Sequence, residues 1–161
     1  MDVFEFAMKM EEDGIDFYQQ IADETKNEGV RSILTILAQD EVKHYNTLKR
    51  LKKETVEQVE DTTVLKDAKN VFETLEYNAE DFTSPESQID LYKKAQELEK
   101  KSIDFYAEKA EEVSKDTEKS ILSRLADEER KHYFLLEHMI TMLTRPEQWL
   151  EDAEWTHLEE Y

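Results

Sequence analysis

The chain contains no cysteine, and only two glycines and two prolines in 161 residues. The lack of cysteine excludes disulfides, zinc-thiolate sites and cysteine-ligated iron-sulfur clusters, and it fits a reducing compartment. So few glycines and prolines leave little material for turns, while Glu, Lys, Leu and Ala abound, which is the composition of long helices joined by few loops. No apolar run approaches the ~20 residues of a membrane span. Met1-Asp2-Val3-Phe4-Glu5 has neither the basic start nor the apolar stretch of an export leader, so a cytoplasmic protein with no membrane partner is expected. Basic residues are scarce too. Against 40 Asp and Glu there are 21 Lys and Arg, a formal charge of −19 that repels phosphate backbones and attracts cations, so nucleic acid is not an expected partner. At 39% apolar the length suits one domain, which hides roughly two thirds of its unfolded surface.

What is present is a duplication. Glu41-Val42-Lys43-His44 and Glu129-Arg130-Lys131-His132 lie 88 residues apart, and the same offset aligns Asp2 with Asp90 through Leu48 with Leu136 without a gap. Within it, Glu11 and Ile15-Asp16-Phe17-Tyr18 recur as Glu99 and Ile103-Asp104-Phe105-Tyr106. Each half therefore supplies one Glu and one Glu-x-x-His.

The apolar spacing predicts four long helices. The first runs from Asp2, its N-cap, to about Lys26, with Phe4, Met8, Glu11, Ile15, Tyr18 and Ala22 in its seam. Gly14 in its middle costs ~1 kcal/mol against Ala and points to a close helix contact there. A turn at Asn27-Glu28-Gly29 sends the second helix back antiparallel, with Leu34, Leu37, Glu41, His44, Leu48 and Leu51 in its seam. Residues 53–84 have no counterpart and form a crossover. Val64, Ala68, Val71, Phe72 and Leu75 predict a short packed helix within it, and its length makes the third long helix parallel to the second. Thr83-Ser84-Pro85-Glu86 reads as a hydroxyl cap with Pro in the first turn. The third seam holds Tyr92, Ala95, Glu99, Tyr106 and Ala110. Asp116-Thr117 is the next turn, and the fourth seam holds Leu122, Leu125, Glu129, His132, Leu136, Met139 and Leu143 up to the stop at Thr144-Arg145-Pro146. The bundle is thus expected over residues 1–145, with a tail over 146–161 forming a short helix.

Glu11, Glu41, His44, Glu99, Glu129 and His132 all fall in these seams. A buried, unpaired carboxylate costs several kcal/mol, more than a marginally stable domain tolerates from four of them. Two divalent ions would neutralise the four carboxylates. Residues three apart on a helix share a face, so Glu41 with His44 and Glu129 with His132 can reach one dinuclear centre, in which Glu11 with His44 and Glu99 with His132 would hold one ion each, bridged by Glu41 and Glu129. Carboxylate and imidazole donors without sulfur suit iron or manganese, and zinc also fits. Asp40 and Glu128, one residue before the bridging pair, either orient His44 and His132 or lie on a solvated edge. His138 has no Glu three residues before it and reads as a surface or rim residue. Glu154-Trp155-Thr156-His157 lies outside the repeat and reads as surface or packing.

One Glu from each of two helices plus Glu-x-x-His from each of the other two resembles the ferritin-like di-iron carboxylate proteins, and the chain is similar to rubrerythrin-type proteins without their cysteine-rich rubredoxin domain. The likeness spans Asp2 to Leu143. It implies an all-α, ferritin-like four-helix bundle with one long crossover and a dinuclear iron centre. Tyr18 and Tyr106, each seven residues after a Glu, are by the same resemblance the groups that hydrogen-bond the ligand carboxylates. The implied activity is reduction of hydrogen peroxide or dioxygen with electrons from a separate donor protein, in a homodimer. Ser102 stands where rubrerythrins have a further Glu, and the symmetric two-His set is closer to that of bacterioferritin. Iron oxidation for storage therefore stays open as an alternative, as does a helical scaffold around a structural metal.

Overall fold

The computed structural model describes residues 2–53, 63–75 and 84–152, and every described element is a helix. They are α1 (Val3–Glu24), α2 (Glu28–Lys52), α3 (Val64–Leu75), α4 (Glu86–Glu112), α5 (Asp116–Thr144) and α6 (Pro146–Asp152). The long helices predicted third and fourth are α4 and α5. The polar stretch after Lys53, and Trp155, His157, Leu158 and Tyr161 of the tail, lie outside the described residues.

Helix starts follow local chemistry where a capping side chain exists. The Asp2 carboxylate accepts the Glu5 N–H at 2.8 Å, and the Asn27 side chain accepts that of Val30 at 3.1 Å. Since Asn27 is itself the cap, the first turn is Thr25-Lys26-Asn27, and Gly29 lies buried inside α2 rather than in the turn expected of it. The hydroxyl cap expected before α4 is also corrected. Pro85 occupies the cap position and makes no side-chain cap bond. Lys115 caps α5 with none either, which puts Asp116 in the first helical turn instead of the turn before it.

Contacts between helices fix their directions. Arg31 Nε donates to the Ala22 carbonyl at 3.2 Å while Glu11 faces His44, so rising numbers in α1 meet falling numbers in α2. Glu11 meets Tyr106 and Tyr18 meets Glu99, which sets α4 antiparallel to α1. Glu41 meets His132 and Glu129 meets His44, which sets α5 antiparallel to α2. It follows that α4 is parallel to α2, as a crossover that travels the length of the bundle requires.

Two apolar clusters flank a polar layer. The larger gathers Ile33, Leu34, Leu37, Tyr92, Leu136 and Met139, and the smaller gathers Leu48, Tyr106, Ile121, Leu122 and Leu125. The crossover helix α3 belongs to the larger, with Phe72 fully buried. Trp149 of α6 folds back onto it, ring centroids 5.8 Å apart, so the short C-terminal helix closes that end of the bundle. His138, expected at the surface, is buried in the same place, 4.5 Å from the Phe134 ring centroid and 6.3 Å from that of Phe72. Its position three residues after Leu135, on the inner face of α5, accounts for this. No helix among the described residues is long and apolar enough to cross a membrane.

Candidate metal centre

The polar layer is made of the seam residues. Glu11, Glu41, His44, Glu99, Glu129 and His132 are each at most 4% exposed. Their donor atoms fall into two sets, Glu11, Glu41, His44 and Glu129, and Glu41, Glu99, Glu129 and His132, with all atoms of a set within 4.8 Å of one another. Glu41 and Glu129 belong to both. This is close to the spread of donors around an ion bound at about 2.1 Å.

The duplication is visible as reciprocal contacts. The Tyr106 hydroxyl donates to Glu11 Oε1 and the Tyr18 hydroxyl to Glu99 Oε1, both at 2.5 Å, each tyrosine reaching the carboxylate of the other half. His132 Nδ1 lies 2.9 Å from Glu41 Oε1, and His44 Nδ1 lies 2.7 Å from Glu129 Oε1. The two imidazoles stack, with centroids 5.4 Å apart and planes 10° from parallel.

Several of these atoms lack what burial demands. Glu11 Oε2, Glu99 Oε2, Glu129 Oε1 and both His44 nitrogens have no hydrogen-bond partner. The 2.7 Å contact of His44 with Glu129 is close but misses the angle of a hydrogen bond. Buried polar atoms are normally satisfied, and a cluster of orphaned acceptors and imidazole nitrogens is what cations fill. The donor set therefore fits divalent ions.

Without ions the layer holds protons. Burial, with the charges of Glu99 and Glu11 beside it, raises Glu129 well above the usual carboxylate range. Burial also pushes Glu99 upward, but its hydrogen bond with Glu129, the charge of His132 and the Tyr18 hydroxyl outweigh this, and Glu99 sits below that range. Burial works against a charged His132. The Glu99 charge and the hydrogen bond to Asp40 nevertheless carry it up to about 10. Tyr18 and Tyr106 are raised well above the ordinary phenol value by burial and by their carboxylate partners, so both remain hydrogen-bond donors at neutral pH.

The residues beside the bridging pair behave differently from each other. Asp40 is buried and takes His132 Nε2 at 2.5 Å, with His44 Nε2 further off at 3.6 Å. A carboxylate on Nε2 leaves Nδ1, which faces the carboxylate layer, as the ligating nitrogen. Glu128 is equally buried but does not pair with a histidine. It accepts from Arg124 Nε at 2.9 Å and Lys131 Nζ at 3.4 Å, and its full burial sets aside the solvated edge that was the other reading of this position. Arg124 has Ile36 as its counterpart in the first half, and this added charge diverts Glu128.

The seams did not reveal a groove between α1 and α4 that reaches Glu41 and Glu99 from outside. Its lining includes Phe17 with Phe105 and Met10 with Leu98, pairs at the 88-residue offset that lie off the main seams, and that recurrence was the available signal. The close helix contact expected at Gly14 is an ordinary one: a Cβ there would meet the Glu41 side chain at 3.7 Å, a normal van der Waals distance, and Gly14 and Glu41 both line the groove.

An antiparallel pair of helical hairpins enclosing a symmetric layer of four glutamates and two histidines defines a ferritin-like carboxylate-histidine bundle. The rubrerythrin family model matches residues 2–140, and the chain belongs to that family. No match was found among curated proteins or among solved structures.

Proposed function

We propose that the chain holds two iron ions in its polar layer and reduces hydrogen peroxide or dioxygen with electrons from a separate donor protein. The observation that carries this reading is the pair of four-donor sets sharing Glu41 and Glu129. Glu11 with His44 and Glu99 with His132 would be the end ligands, and Glu41 and Glu129 the bridges. Iron held there would supply one electron from each ion and a Lewis acid for the oxidant.

The chain's own groups prepare the site. Each tyrosine hydroxyl takes one oxygen of an end carboxylate, leaving the other, Glu11 Oε2 or Glu99 Oε2, without a hydrogen bond and available to an ion. Asp40 fixes the His132 ring by its Nε2. Burial and the neighbouring carboxylates favour the protonated forms of Glu129 and His132 in the ion-free layer, and ions compete with those protons. Burial of all six residues places the donor atoms in a low-dielectric layer that solvent reaches from the side of the groove.

Anaerobic Fe(II) titration followed by stopped-flow mixing with peroxide, and separately with dioxygen, tests the reading. Two irons per chain and oxidation faster with peroxide are the expected result. Tight binding with no oxidation by either would leave a structural metal, and absence of tight binding would remove the site.

A further inference from the structure

The groove between α1 and α4 has a volume of about 620 Å³. Hydrogen peroxide and dioxygen need only the room of one or two waters, about 30 Å³ each. A cleft of this size belongs to the class that holds organic ligands, about 300–1,000 Å³.

Its walls are apolar. Phe6, Met10, Phe17, Leu98 and Phe105 line it, with Phe6 50% and Leu98 38% exposed at its mouth. Its inner end is the Glu41 and Glu99 side of the metal centre. Gly14 and Ser102, equivalent positions in the two halves, keep that end open. Gly14 has no side chain, and the Ser102 hydroxyl turns back to the Leu98 carbonyl at 3.2 Å.

The mouth is basic in a chain that is otherwise strongly acidic. Among the lining residues Lys9, Lys94 and Lys101 stand against one exposed acid, Asp13, with the charges of Glu12 and Asp16 also near Lys9. Lys9 pairs with Asp13 at 3.0 Å. Lys94 lies over the Phe17 ring, 5.8 Å from its centroid, and neither Lys94 nor Lys101 forms an ion pair with a described residue. Two cations beside an apolar trench complement a molecule with an anionic head and an apolar chain.

We propose that the groove binds a fatty acid and that the oxidant reduced at the centre is its hydroperoxide. The carboxylate lies at Lys94 and Lys101, and the chain runs between the aromatic walls towards Glu41. The redox part rests on the function proposed above. The O–O bond would break as two electrons from the donor protein and two protons are taken up, giving the hydroxy acid and water, with the six ligand residues holding the iron that supplies the redox chemistry. The binding part stands without it.

Titration of dodecanoate, which has the head and chain but no peroxide bond, into the full chain reads the groove apart from any redox step. Saturable binding is expected, weakened by about tenfold in Lys94→Glu/Lys101→Glu, where two attractive charges become repulsive. Leu98→Glu, at an exposed position, should abolish it with the helical circular dichroism unchanged. With iron and a reductant, the double lysine variant should raise KM for a fatty-acid hydroperoxide and leave hydrogen peroxide reduction unchanged. Absence of saturable binding, or binding indifferent to both variants, overturns the proposal. So does light scattering that finds a dimer into which dodecanoate does not bind, since a second copy then covers the groove. Dodecanoate binding in a chain whose iron no peroxide oxidises removes the redox part alone, whereas rapid peroxide reduction without dodecanoate binding removes the groove alone.

Discussion

At the scale of single residues, Tyr18 and Tyr106 each give a buried hydroxyl to a carboxylate of the opposite half. Removing either donor strands a buried acceptor, so Tyr18→Phe and Tyr106→Phe should each destabilise the ion-free protein by ~1–3 kcal/mol in urea denaturation, and by similar amounts because the contacts are reciprocal. Asp40 and Glu128 are equivalent by sequence but not by contact. Asp40→Asn should weaken metal binding by about 10–100-fold in competition with a chelator, the usual effect of losing a carboxylate behind a histidine ligand. Glu128→Gln should leave the affinity nearer that of the wild type, because Glu128 bonds Arg124 and Lys131 instead. The raised His132 has a defined pH signature. Its folded value near 10 lies above its unfolded value near 6.5, so its contribution to stability is complete below about 6.5 and disappears as pH climbs towards 10. Glu129, also raised, acts in the same direction. Thermal melts of the ion-free chain should therefore show Tm falling across that interval, and bound metal, which replaces the proton, should flatten the decline.

At the scale of elements, two helical hairpins carry the centre, and two short helices close one end of the bundle. α3 contributes Phe72 and α6 contributes Trp149, both buried at the same end of the bundle. Phe72→Ala should cost ~3–5 kcal/mol, as truncation of a buried aromatic does. Hydrogen exchange should then rise first in α3, while amides of α2 and α5 around Glu41 and Glu129 stay protected. Equal loss of protection throughout would mean that α3 is part of the bundle's folding core rather than a cover for it. Gly14 links an element to the site differently. It stands beside Glu41, where a Cβ would meet the carboxylate at an ordinary 3.7 Å, and it gives up ~1 kcal/mol of helix propensity against Ala.

At the scale of the whole molecule, a buried polar layer divides the apolar interior in two. A fold with four carboxylates in its middle is under strain until cations arrive, and ligand binding to the folded state alone stabilises by about 2.7 kcal/mol per site at a hundred times the dissociation constant. Chelation should lower Tm markedly, and Glu41→Ala or Glu129→Ala should abolish the metal-dependent part of it, since each belongs to both donor sets. The sequence by itself determined the four long helices, the duplication and the six seam residues, because a 3.6-residue period and an ungapped repeat are local properties that survive without coordinates. It also placed α3 and the break before α6. It could not assign Asp40 and Glu128 their different partners, bury His138, or open the groove beside Gly14, because these depend on which side chains from distant helices share a volume. His138 was hidden by the absence of any nearby motif, and only the packing of Phe72 and Phe134 around it decided its place. Helix ends moved by a few residues for a simpler reason. Asn27 and Pro85 compete with their neighbours for one cap position, and the backbone, settled by tertiary packing, selects the winner.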